Sequence, residues 1–425
     1  MFYIANYVES NSDLATMVFG ADDMIHGDFF RSSWTLSGIS FTFTDMPYFV
    51  IGTILKGVSP TAYVIACALM IFMLAISAWF LVKDKIRTQS MKYKFFYFLL
   101  FLLVCCTMND FLSNILRIHT GSVILAFVGL YFLDKFLNDS NTNKKISVIC
   151  TAVLFLFSCW GDRVGLLIVI LPAIILQMLD IFDRYNSNGQ IEKSIITFII
   201  ICAGALAGLL LDKLYFIIGG ADPNAFLSSK YFVNFSDYWD KIVLYLNCVF
   251  EMNGSAFQGK PILKISTIGY FAKAIIVIST FIIVFFNLKA IFMRQKGDYI
   301  CQVLSLGHFL ISLVFIITTI SVDGSSSRYI AYFPACSAVL IIRTLILKPD
   351  ILIEPDGKKL KYMTMICTLI ILMIFELRNV PKMTTNISLP SEQVELVDAL
   401  EEKGLTNGYS DFWNASNISL ISSRG

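Results

Sequence analysis

Residues 61–94 read TAYVIACALMIFMLAISAWFLVKDKIRTQSMKYK. From Thr61 to Val82 there is no Asp, Glu, Lys or Arg. About 20 apolar residues in succession are what a helix needs to cross a hydrocarbon layer ~30 Å thick. Basic residues follow at once: Lys83, Lys85, Arg87, Lys92 and Lys94. One apolar run closed by one basic linker predicts both a membrane span and its direction.

The pattern recurs. Apolar runs lie near 95–107, 119–136, 146–160, 164–182, 194–218, 267–288, 299–321, 329–347 and 362–377. With 61–82 they predict an all-α polytopic membrane protein of about ten transmembrane helices. The run at 95–107 is short and reads as a tilted or partial span. Residues 146–182 read as a helical hairpin broken at Trp160-Gly161-Asp162-Arg163. Composition agrees: 56% of residues are hydrophobic and 15% charged, where a soluble chain is about a quarter charged. Mean hydropathy is +0.71. The runs do not alternate, which excludes a β-barrel reading.

Charge orients the spans. KDKIRTQSMKYK, DKFLNDSNTNKK, DRYNSNGQIEK, KAIFMRQKGD and KPDILIEPDGKKLK are short and basic. Positive-inside places them in the cytoplasm, and an even span count places both termini outside. The chain then divides into an extracytoplasmic acid-bearing loop at 1–60, a transmembrane domain at 61–377 with a long outer loop at 219–266, and an extracytoplasmic segment at 378–425. Ten cysteines lie mostly in apolar runs without CxxC spacing, and three histidines are scattered, so no local metal or disulfide motif stands out. No basic n-region precedes an apolar h-region at the start. MFYIANYVES reads as the last turns of an outgoing helix and NISLISSRG as part of a strand, leaving a short version, a mis-set start or a fragment open.

The segment ESNSDLATMVFGADDMIHGDFF, residues 9–30, holds Glu9, Asp13, Asp22, Asp23 and Asp28 before the first basic residue, Arg31. Residues 12–26 read as an amphipathic helix: Ser12 caps it, and Leu14, Met17, Val18, Ala21 and Ile25 recur at helical spacing. Its apolar face is expected among lipid headgroups. At 100° per residue the three acids of that helix cannot share one pocket. Asp13 reads either as a working carboxylate or as a helix-start acid facing its own dipole. Asp22 and Asp23 read as solvated, and Asp28 as a turn residue after Gly27 or a site acid.

Further along, Asn109-Asp110 opens an outer loop that Arg117 and His119 close; Asp110 reads as a ligand of a divalent cation or sugar, Arg117 and His119 as groups that meet phosphate or acceptor, and each alternatively as an ordinary interfacial group. Asp162-Arg163 on a tight outer turn is a site candidate at membrane depth or a mutual salt bridge. Arg328, after Ser325-Ser326-Ser327, suits phosphate or anchors a span. Asp212 and Lys213 read as a pair. The aromatics Tyr231, Phe232, Phe235, Tyr238 and Trp239 predict an interface-lying helix or a lid.

SDLATMVFGADDMIHGDFF and the following TDMPYFVIGTILKGVSPTAY resemble the first outer loop of GT-C membrane glycosyltransferases, closest to the protein-mannosyltransferase and aminoarabinose-transferase-like branch. Asp13-Leu14-Ala15 stands where that family has D-E-A, and Gly27-Asp28-Phe29 where it has G-D-W; Leu14 replaces the second acid. SSSRYIAYFP resembles a late outer loop of such enzymes, and GLTNGYSDFWNASNISLIS an outer C-terminal tail. The resemblance implies transfer of a sugar from a polyprenyl-phosphate donor to an extracytoplasmic glycan or lipid-linked acceptor, in a bacterial cytoplasmic membrane. It implies Asp13 as general base, and Arg328 and Arg163 at the donor phosphate. Asp110, His119 and Asp28 would serve substrate or a divalent ion, Mg or Mn. Membrane lipids are partners and nucleic acid is not. The competing readings are a polymerase or ligase acting on pyrophosphate-linked glycan, a transporter without chemistry, and an inactive relative.

Overall fold

The computed structural model describes residues 12–32, 34, 39–106, 119–138, 143–187, 191–219, 232–256, 265–347, 391–405 and 412–422. Among these there is no strand, only an isolated bridge between Phe232 and Thr318. A first helix α1, Ser12–Ile25, leads through a loop to α2, Met46–Lys56. The bundle follows as α3 Pro60–Arg87, α4 Met91–Cys106, α5 Thr120–Asn138 and α6 Lys144–Cys159. A π-turn at Leu166–Ile170 enters α7, Leu171–Asn186, and α8 is Glu192–Ile218. Then come α9 Tyr238–Met252, α10 Ile265–Phe292 and α11 Tyr299–Ile317. A 3-10 segment, Gly324–Ile330, precedes α12, Phe333–Leu347. The described chain closes with α13, Ser391–Glu402, and α14, Phe412–Ser422.

Seven helical segments among the described residues are long and apolar enough to cross a membrane. The expectation of about ten is therefore met only in part. Helices α4 and α6 stand where spans were expected but have 16 residues each, about 24 Å against a hydrocarbon layer of ~30 Å. The run at 362–377 lies outside the described residues.

Helix starts follow local chemistry. Ser59 accepts the Ala62 N–H at 3.3 Å, with Pro60 in the first turn of α3. Asp298 accepts the Cys301 N–H at 3.1 Å and caps α11. Helices α6 and α8 pack closely because Gly204 and Gly208 stand one turn apart on α8. A Cβ on Gly208 would lie 2.3 Å from the Leu156 carbonyl oxygen. Small residues let helix backbones approach where lipid supplies no hydrophobic drive. Gly208→Ala is expected to lower stability by about 1–3 kcal/mol through overpacking, read as an earlier thermal melt in detergent; an unchanged melt removes this contact from the account.

The ends of the helices sort by charge. Four of the five basic linkers meet one another: Lys135 pairs with Asp84 at 3.1 Å, Arg294 with Asp183 at 3.6 Å, and Lys193 donates to the Leu137 carbonyl at 2.6 Å, while the fifth, from 348 onward, lies outside the described residues. At the opposite end lie α1, α2, the 160–165 turn and the 3-10 segment before α12.

Two expectations are overturned by packing. The apolar face of α1 does not lie among headgroups: Ala15, Met17, Val18 and Ala21 are buried against α2, α3 and α14. NISLIS is helical, not extended; Leu420 and Ile421 are fully buried, and Thr16 of α1 donates to Ser416 of α14 at 3.2 Å. In the 219–266 loop, Tyr238 and Trp239 open helix α9, while Tyr231 lies outside the described residues. Trp239 is exposed, while Tyr245, Cys248, Val249 and Met252 pack toward α11 and the 3-10 segment.

Candidate functional site: a buried acid cluster opposite the basic linkers

The turn that ends α6 and the loop that enters α2 meet on the first turn of α5. Phe41 N–H donates to the Gly161 carbonyl at 2.9 Å and lays residues 39–45 over the turn. Asp45 follows, fully buried, and its Oδ1 accepts the Gly121 N–H at 3.2 Å. Only glycine allows that approach, since a Cβ at 121 would stand 2.0 Å from the Thr44 carbonyl oxygen. The other carboxylate oxygen of Asp45, Oδ2, is enclosed with no hydrogen-bond partner. An unpaired buried acceptor costs about 1–3 kcal/mol. Burial first, then the charge of Asp162, pushes the Asp45 carboxyl up from 3.8 to about 6, against the lowering pull of His119, of the Gly121 N–H and of the neighbouring Thr44 hydroxyl, which stands beside the carboxylate without forming a well-shaped hydrogen bond.

Beside it, Asp162 is buried and fully matched. Its Oδ1 takes the Arg163 N–H at 2.6 Å, the Val164 N–H at 3.3 Å and the His119 ring at 3.2 Å. Its Oδ2 takes the Ser122 hydroxyl at 2.9 Å. A carboxylate only accepts, so His119 Nδ1 carries the proton and Nε2 is left for other work. His119 sits at φ 96, a region costly for any residue but glycine. Its ring lies 5.3 Å from Phe41 and 5.2 Å from Tyr329. The Arg328 guanidinium lies over the Tyr329 ring at 5.2 Å. His119, Arg328, Tyr329 and Tyr332 line one cavity of about 10 Å³, room for about one water.

The expected site residues fall unevenly on this geometry. His119 and Arg328 are brought together, as is Asp162. Arg163, expected to bind phosphate or pair with Asp162, instead lends Asp162 its backbone N–H and exposes its side chain. Asp28 is a turn residue: its carboxylate accepts the Ser32 N–H at 3.1 and 3.0 Å and the Ser32 hydroxyl at 3.3 Å. Asp23 accepts the Trp34 indole N–H at 2.6 Å, and Asp22 faces His26 at 3.5 Å. Asp212 does not pair with Lys213; it takes the Ser40 hydroxyl at 2.7 Å while Lys213 is exposed. Arg31 fixes the acid segment to α8, donating to Tyr215 Oη at 3.2 Å and to the Ser40 carbonyl. Asp13 falls in the first turn of α1, but its side chain lies outside the described residues, and so do Asp110 and Arg117.

Asp45 escaped the sequence reading. Its one signal is an acid set among aromatics, FTFTDMPYFV, two residues ahead of a proline in a first helical turn. Among the described residues no three His, Cys, Asp or Glu side chains are placed to hold a metal ion, so the divalent ion implied by the resemblance finds no ligand set there. Comparison of the chain with protein-family models, curated proteins and solved structures returned no match.

Proposed function

We propose that this chain is a membrane glycosyltransferase that moves a sugar from a polyprenyl-phosphate donor to an extracytoplasmic glycan or lipid-linked acceptor. The chemistry takes place at the bundle end opposite the basic linkers, which face the cytoplasm. The observation that carries the reading is Asp45: an enclosed carboxylate with one unpaired oxygen and a proton affinity near neutrality. Such a group suits a general base, whose affinity is best matched to the working pH. The Asp162–His119 pair holds a second proton carrier beside it, and Arg328 supplies positive charge for the departing phosphate. Access for an acceptor requires the outer segments to part, since the cavity that His119 and Arg328 share, which Asp45 does not line, holds about one water.

Two carboxylates compete for the base: Asp45 from its surroundings and Asp13 from the family pattern. Purified protein in liposomes is supplied with a polyprenyl-phosphate sugar and, in a separate arm, with a pyrophosphate-linked glycan. Transfer from the monophosphate is expected, and its loss in Asp45→Asn with retention in Asp13→Asn assigns the base to Asp45. The reverse result assigns it to Asp13. Turnover of the pyrophosphate-linked glycan alone makes the protein a polymerase or ligase.

A further inference from the structure

A long cavity lies between α4, α10 and α12, away from the acid cluster. It is about 1220 Å³, beyond the ~300–1,000 Å³ of ordinary small-molecule sites. Helices α4 and α10 both pack on α12 and leave a groove with α12 as its floor. Phe96, Leu100 and Val104 line it from α4 at successive turns. From α10 come Ile275, Ser279, Ile282, Phe286 and Ala290, again one helical face. Residues 275–290 make the groove about 22 Å long, most of a ~30 Å hydrocarbon layer. Ile275, Ile282 and Phe286 are themselves exposed along its flank, so the groove opens sideways toward lipid.

One end is polar and carries surplus positive charge. Lys85 and Lys296 line it; the one acid among the described lining residues, Asp298, is held by Arg343 at 2.6 Å. The groove continues through Gln295, Lys296 and Gly297 into a cleft of about 660 Å³ among the basic linkers. There too the acids are matched: Asp180 by Arg184 at 2.7 Å, and Asp183 by Arg294 at 3.6 Å. Lys296 also lines this cleft, and Lys193 is bound to the Leu137 carbonyl. A long apolar slot, open to the bilayer and ending beside the ammonium groups of Lys85 and Lys296, is complementary to an amphiphile with acyl chains and an anionic head.

We propose that this groove is a binding site for an anionic glycerophospholipid of the leaflet that contacts the basic linkers, with acyl chains along α4 and α10 and the phosphate at Lys85 and Lys296. The site is independent of the glycosyltransferase reading and at the opposite end of the spans.

The test is native mass spectrometry of the full chain after delipidation and titration with phosphatidylglycerol or phosphatidylcholine. Wild type is expected to retain one phosphatidylglycerol in preference to phosphatidylcholine. Lys85→Gln/Lys296→Gln is expected to lower that affinity about thirty-fold. Lys289→Gln, at the same end of α10 but outside the lining, leaves it unchanged. Ile283→Trp, which fills the slot without touching charge, lowers retention as well. Equal retention of both lipids, equal loss in Lys289→Gln, or no retained lipid overturns the proposal; the last result is expected if the chain's own apolar stretch 362–377 fills the groove. Displacement by an equimolar polyprenyl phosphate also overturns it, in favour of a donor lipid.

Discussion

Asp45→Asn is expected to melt at a higher temperature than wild type at pH 7.5 and to lose sugar transfer by at least about 10²-fold. The opposition of the two effects is the diagnostic. In the folded protein the carboxyl holds its proton to about 6, against 3.8 in an ordinary setting. Between about pH 4 and 6 the folded chain therefore binds a proton that the unfolded chain has released. Stability falls as pH rises through that interval, and above it the full penalty is present, on the order of 3 kcal/mol. Asparagine has no charge to bury and escapes the penalty. The gain in melting temperature should thus be largest at pH 7 and above, and should close below about pH 4. Wild-type transfer should rise with pH through about 6, because a base must be ionised to act. A variant that melts below wild type at pH 7.5, or that keeps full transfer, removes Asp45 from the proposed role.

Asp298→Ala is expected to cost about 3–5 kcal/mol, among the largest losses any single substitution in the chain should cause. Arg343 is 3% exposed, and it grips Asp298 with two bonds, Nε to Oδ1 at 2.8 Å and Nη2 to Oδ2 at 2.6 Å. Its third arm donates to the Leu81 carbonyl at the end of α3, at 2.5 Å. The pair thus ties α3, α11 and α12 together beneath the lipid groove. Burial alone would push the Asp298 carboxyl up, but the Arg343 hydrogen bonds and charge hold it below the ordinary range. Its contribution is therefore complete above about 3.8 and is lost only as pH falls through the depressed value. Asp298→Ala also removes the cap on Cys301 N–H. The double variant Asp298→Ala/Arg343→Met leaves no unpaired buried charge, so its loss should be clearly smaller than the sum of the losses in Asp298→Ala and Arg343→Met. Thermal denaturation of the four proteins closes the cycle. Simple additivity refutes coupling, and a melt of Asp298→Ala equal to wild type refutes the ion pair as a structural element.

Particular elements show what could be read from order along the chain. Helix α1 runs from Ser12 to Ile25, almost as its apolar spacing predicts, because amphipathic periodicity is a local property. What covers that face is not local: α14 lies about four hundred positions away in sequence, so burial against protein and burial in headgroups look alike in the sequence. The strand expected at NISLIS failed for the same reason, a short apolar run being ambiguous until something packs on it. The acid-rich segment drew the eye by its density, yet Asp23 and Asp28 serve turns and an indole. Density of charge marks solvent as readily as a site, whereas the solitary Asp45 is the acid that loses its water.

Order along the chain was enough to place seven apolar helices and four of the basic linkers, because hydropathy over about 20 residues and a cluster of lysines are sums over neighbours. The environment of each carboxylate was settled only in three dimensions. Gly121 reaches Asp45 across 76 positions, His119 reaches Asp162 across 43, and Ser40 reaches Asp212 across 172. A carboxylate's proton affinity is set by which partners exclude or replace water around it, and here those partners arrive from helices distant in sequence.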